Sequence, residues 1–170
     1  MTAQVHENLI YEGEFTTMAS SPEIPEDHPL IVLDKDFLKQ DDSEISLVAG
    51  AGPGVGLTTI FGKPASKKYP GILYSTACWR KYLGTWEIKQ GRLYLNDIVG
   101  RFKKLSDEPI FAEWFTGEIV IPRGPMVQYI HMGFGSKYQK ELHLKIENGV
   151  VVEEILVENK PPKKRGRSKQ

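Results

Sequence analysis

Apolar and polar residues alternate at every second position through most of this chain, and helical periodicity is nowhere sustained. Alternation of that kind places successive side chains on opposite faces of an extended backbone, which marks half-buried strands. It is plainest near the C-terminus. Tyr138, Leu142, Leu144 and Ile146 fall on one side, with Glu141, His143, Lys145 and Glu147 on the other. Asn148-Gly149 then supplies the two left-handed residues of a type I′ turn leading into Val150–Glu158.

The same reading predicts strands over Leu9–Met18, Leu30–Leu33, Leu57–Phe61, Gly71–Ser75, Thr85–Ile88, Arg92–Ile98, Phe115–Ile121 and Val127–Met132. Lys89-Gln90-Gly91 reads as a three-residue hairpin loop, and Pro122-Arg123-Gly124-Pro125 reads as a strand stop. Thr76–Gly84 reads as either a short helix or a bent strand, Phe102–Ser106 as a short helix, and Asp34–Glu44 as one helical turn or a loop. The expectation is therefore an all-β chain, or a β-rich one with one or two short helices. An antiparallel sandwich or barrel of about eight or nine strands satisfies it.

A length of 170 residues suits one domain, here placed at 1–159, with 160–170 expected to be a disordered tail. Composition is ordinary for a globular chain, at 40% hydrophobic and 26% charged. The single cysteine, Cys78, excludes a disulfide framework and any zinc site built on several thiolates. No apolar run approaches the ~20 residues of a membrane span, and the N-terminus lacks a signal-peptide pattern. A soluble cytoplasmic protein is expected, nuclear if the source is eukaryotic, with no membrane partner.

The net charge of zero conceals a gradient. Residues 1–46 hold eleven Asp or Glu against Lys35 and Lys39, a net of −9. Residues 160–170 hold six Lys or Arg and no acid. That asymmetry suggests an acidic N-terminal arm and a basic tail with a polyanionic partner, or two ends that attract each other. In the tail, Lys163-Lys164-Arg165-Gly166-Arg167-Ser168-Lys169 resembles the AT-hook, with Ser168 where the hook carries proline. The resemblance implies that Arg165, Gly166 and Arg167 enter an A·T-rich minor groove. Lys163, Lys164 and Lys169 would then neutralise phosphates. Nucleic acid is thus the partner expected of the tail.

For the folded part, six aromatic residues lie between Tyr69 and Tyr94, interleaved with Arg80, Lys81 and Arg92. Such a cluster is either the core of a small β-domain or a ligand or partner surface. The surface candidates are Trp79, Arg80, Tyr82, Trp86 and Arg92, with His131 from a second cluster that holds Trp114, Phe115, Tyr129, Phe134 and Tyr138. These observations favour a non-enzymatic binding or adaptor domain for an unidentified protein or small molecule. One alternative is a small hydrolase or transferase with Cys78 as nucleophile, His131 or His143 as base, Asp97 or Glu113 to orient the imidazole, and Arg80 nearby. Another is a component of a homo-oligomeric assembly. The glycine-rich Val48–Gly56 lacks the lysine of a phosphate loop and the third glycine of a dinucleotide fingerprint. No histidine pair has ligand spacing, so no cofactor or metal is expected.

Overall fold

The computed structural model describes residues 2–39 and 69–162, and ten strands form among them. They are β1 (Glu7–Tyr11), β2 (Glu14–Met18), β3 (Ile31–Leu33), β4 (Tyr82–Lys89), β5 (Arg92–Gly100), β6 (Phe102–Lys104), β7 (Ile110–Phe111), β8 (Gly117–Gln128), β9 (Lys137–Glu147) and β10 (Val150–Glu158). Eight of them make one sheet in the order β2-β1-β4-β5-β10-β9-β8, with β7 paired to β5. The remaining pair, β3 and β6, forms a separate ladder. The chain is β-rich, as its alternation predicts. The glycine-rich segment 48–56, the strand expected at 57–61 and the AT-hook-like residues 163–169 lie outside the described residues.

Several elements depart from the sequence expectation. The strand expected over Leu9–Met18 is a hairpin, reversed at Glu12 (φ 46°) and Gly13 (φ 88°). β1 then pairs parallel to β4, which makes the sheet mixed rather than antiparallel. Gly71–Tyr74 is a 3₁₀ turn instead of a strand, because Pro70 sets φ at −59° and the Ser75 hydroxyl bonds back to the Ile72 carbonyl. Phe102–Lys104 is strand rather than helix, held by Ile31–Leu33 across the ladder. β8 runs on through Pro122, which keeps its register opposite Glu141, and through Pro125, which falls where the pairing between Arg123 and Met126 is irregular. Lys89 pairs with Arg92, so that loop has two residues, Gln90 (φ 52°) and Gly91 (φ 70°).

The sheet curls on itself without closing. Ala19 N–H donates to the Val120 carbonyl at 2.8 Å, bringing the end of β2 against β8, the opposite end of the strand order. The interior is filled by Leu9, Trp86, Ile88, Leu93, Leu95, Ile119, Ile121, Leu144 and Ile146, all fully buried. Each such side chain contributes ~1.5–3 kcal/mol of burial free energy. Phe37, Tyr69, Leu73 and Cys78 form a second cluster, with Val5, Leu83 and Val99 packed against it. Residues 7–18 of the acidic N-terminal segment are thus built into the sheet. Glu7 sits in the core, and the Glu14 carboxylate accepts from Arg123 at 3.3 Å.

Candidate functional site

Two polar constructions stand out, one inside the sheet and one where the tail departs. The inner one begins at Glu7, whose place on β1 turns its carboxylate to the core face beside Gly84 and Trp86 of β4. Arg80 Nε donates to Glu7 Oε1 at 2.5 Å, while the Gly84 N–H (2.5 Å) and Trp86 Nε1 (3.1 Å) donate to Oε2. A Cβ on residue 84 would lie 2.6 Å from that carboxylate oxygen and 2.5 Å from Trp86 Nε1, so only glycine admits the group. Burial pushes the Glu7 pKa up, and Arg80, Trp86 and Gly84 pull it back. Arg80 also donates to the Val5 carbonyl at 3.0 Å and lies over the rings of Tyr82 and Phe134. Every Glu7 oxygen is therefore satisfied from within. The construction fastens β1 to β4 and leaves no acceptor for a ligand.

The sequence-predicted surface residues divide between core and exterior. Trp86 is fully buried, and Tyr82 is buried with its hydroxyl near the Pro22 carbonyl and Ser21. Trp79 is 52% exposed and its backbone N–H donates to Gln4. Arg92 lies over Phe111 at the other end of the β4–β5 hairpin. Tyr82 pairs with Gly100 and Lys89 with Arg92, so the two ends are seven positions apart, or ~23 Å. His131 is exposed and hydrogen-bonded to the Tyr129 hydroxyl at 2.6 Å. Trp79 and Arg92 therefore share no surface.

The catalytic alternative meets the same geometry. Cys78 is buried, its thiol directed at the Tyr82 carbonyl at 3.5 Å, and burial pushes its pKa up, away from the thiolate a nucleophile needs. Glu113 follows Ala112, whose N–H bonds Leu93 at the far end of β5. It is thus about seven strand positions, ~23 Å, from the Gly100 end where Cys78 and Arg80 sit. Among the described residues no group of three or more His, Cys, Asp or Glu is arranged to hold a metal ion. No helix among them is long and apolar enough to cross a membrane.

The outer construction lies at the start of β9. Asn159 N–H donates to the Gln139 carbonyl (2.9 Å), and its side-chain Nδ2 donates to the Tyr138 carbonyl (2.8 Å) and Glu141 Oε2 (2.7 Å). Glu141, itself buried, accepts from the Tyr138 N–H and contacts His143 Nε2 at 3.2 Å. The other imidazole nitrogen meets Glu118 at 2.8 Å. Glu118 lines a cleft of ≈ 310 Å³ with Ser20, Ser21, Trp114, Phe115 and Thr116. Lys137 and Lys140 of β9 and Lys160 are exposed around the Asn159 clamp. Tyr138 is half-buried there, its ring edge-on to His6, and burial pushes its pKa up. Sequence reading missed Glu7, Glu141 and Asn159, and weighed His143 only as a base for Cys78 or a metal ligand. Only the β9–β10 pairing of Glu158 with Lys140 carries a sequence signal, because that register brings Asn159 beside Gln139. No known protein family matches the chain, nor does any curated protein or solved structure.

Proposed function

We propose that this chain is a non-enzymatic binding module whose basic tail contacts nucleic acid, with the β9 end of the fold as the adjoining contact surface. The observation that carries the reading is the Asn159 clamp, which ties the root of the tail to Gln139, Tyr138 and Glu141 beside exposed Lys137 and Lys140. Six cations with no acid then follow over residues 160–170. A phosphate backbone laid along this end would meet the tail together with Lys137, while Lys140 lies on the other face of β9 and pairs with Glu158. Tyr129 and His131, both exposed, offer rings on which unpaired bases stack. The saturated Glu7 and the buried Cys78, its thiol directed at the Tyr82 carbonyl, support the non-enzymatic part of the reading.

Neutralising the tail in the full chain (Lys163, Lys164, Arg165, Arg167 and Lys169, each to Gln) tests it. Fluorescence anisotropy with labelled duplex and single strand across a salt series is the measurement. Five phosphate contacts give a salt slope of about −4 to −5 on duplex, and the neutralised chain should lose most of it. An unchanged slope would remove the tail from the function.

A further inference from the structure

We infer that the overhanging edge of β10 pairs with the same edge of a second copy of this chain, across a two-fold axis at Ile155. The overhang follows from register. β10 is paired with β9 from Val150 to Glu158 apart from a bulge at Val152, but it meets β5 at one position, Val150 opposite Arg92. Because that pairing is antiparallel, β10 runs on beyond the β4–β5 hairpin turn. Val151 N–H to the Gly91 carbonyl is the last backbone bond on that side. From Val152 to Glu158, no backbone group among the described residues pairs with this edge. Val152, Ile155 and Leu156 are 50%, 50% and 55% exposed there. The two strands that end the sheet order, β2 and β8, are instead brought together by the Ala19–Val120 bond.

Given a second copy, charge restricts the register. The edge carries Glu153, Glu154 and Glu158 and no cation. In a continuous sheet, residues directly opposite must share a face, so a two-fold axis falls on a residue rather than between two. An axis at Glu154 sets that carboxylate against its own copy. One at Leu156 sets Glu154 against Glu158. The axis at Ile155 avoids both: Ile155 meets Ile155, Glu153 meets Val157 and Glu154 meets Leu156. The carboxylates have internal partners as well. The Tyr11 hydroxyl donates to Glu154, Lys140 lies 3.6 Å from Glu158, and Lys145 stands opposite Glu153. A self-complementary edge of this kind defines an isologous dimer. With seven residues a side, it belongs to the small interfaces below ~1,200 Å² that associate weakly and reversibly.

Sedimentation equilibrium of the full chain across micromolar concentrations reads the result, with unfolding midpoints as the control for fold. The wild-type mass should rise from 19.2 kDa toward twice that value. Ile155→Lys sets two ammonium groups against each other on the axis and should weaken association at least tenfold. Leu156→Lys removes a neighbouring apolar side chain and adds the same charge, but places each lysine opposite Glu154 of the other copy. It should leave association intact or tighten it, by roughly two- to thirtyfold for two cross-strand ion pairs. Equal loss in both variants would mean a merely apolar patch and overturn the registered pairing. Retention in both would overturn it too. So would a wild-type monomer at every concentration, including one that instead takes up a lysine-rich strand peptide at residues 152–158.

Discussion

Glu7 shows how one residue ties the N-terminal segment to the rest of the fold. Its carboxylate is fully buried, yet Arg80, the Gly84 N–H and Trp86 Nε1 saturate it. Removing one member of such a pair costs ~3–5 kcal/mol, because the other charge stays buried without compensation. Arg80→Ala should therefore be strongly destabilising at pH 7. Its pH dependence follows from Glu7, whose pKa burial already holds above the ordinary carboxylate value and Arg80 pulls down. Without Arg80 it rises further. A group with a raised folded pKa contributes stability that is full below its unfolded pKa and is lost as pH rises through the folded one. Arg80→Ala should thus lie closest to wild type near pH 4 and furthest at pH 7 in urea unfolding. A deficit that is constant with pH would mean that the guanidinium acts through packing on Tyr82 and Phe134 alone.

At the level of elements, what the sequence reveals depends on how local the cause is. β4, β5, β9 and β10 alternate clearly and end in short turns, so pattern and turn chemistry together define them. The 3₁₀ turn after Pro70 is set locally, by Pro70 and the Ser75 hydroxyl, but the continuation of β8 through two prolines depends on its pairing with β9, and its local signal points the wrong way. The parallel pairing of β1 with β4 is of the same kind, because it joins residues 77 positions apart. So is the site: Glu7, Arg80, Glu141 and Asn159 acquire meaning only from the register that brings them together. The two hairpin glycines separate local from tertiary causes experimentally. Gly91 (φ 70°) and Gly149 (φ 77°) have similar backbones, but a Cβ at 91 meets nothing, whereas one at 149 lies 2.6 Å from the Ala112 carbonyl oxygen. Gly91→Ala should cost only the left-handed strain, ~1–2 kcal/mol. Gly149→Ala should cost that and a further ~1–3 kcal/mol of overpacking. Equal unfolding free energies would show that the 112–115 segment yields without penalty.

Taken over the whole molecule, the edge pairing and the basic tail combine into one geometric expectation, which depends on both proposals. With the axis at Ile155, Lys160 lies five positions from it in each copy, so the two tail roots stand ~33 Å apart at ~3.3 Å per residue. One turn of B-DNA spans ~34–36 Å, so both tails would meet the same face of a duplex one turn apart. Two weak arms held at that spacing bind by effective concentration, without any new contact. The rest of the chain opposes each arm, since residues 1–159 carry 22 acidic against 16 basic residues, a net of −6, so one tail alone binds weakly. The full chain should therefore prefer duplexes with two A·T tracts ten base pairs apart over duplexes with tracts five apart, where the second groove faces away. Ile155→Lys should abolish that preference while keeping the steep salt dependence of a single tail. Loss of both would point to the tail reading failing in a variant that still folds. A preference that survives in the monomeric variant would mean that one tail, not the paired edge, sets the spacing.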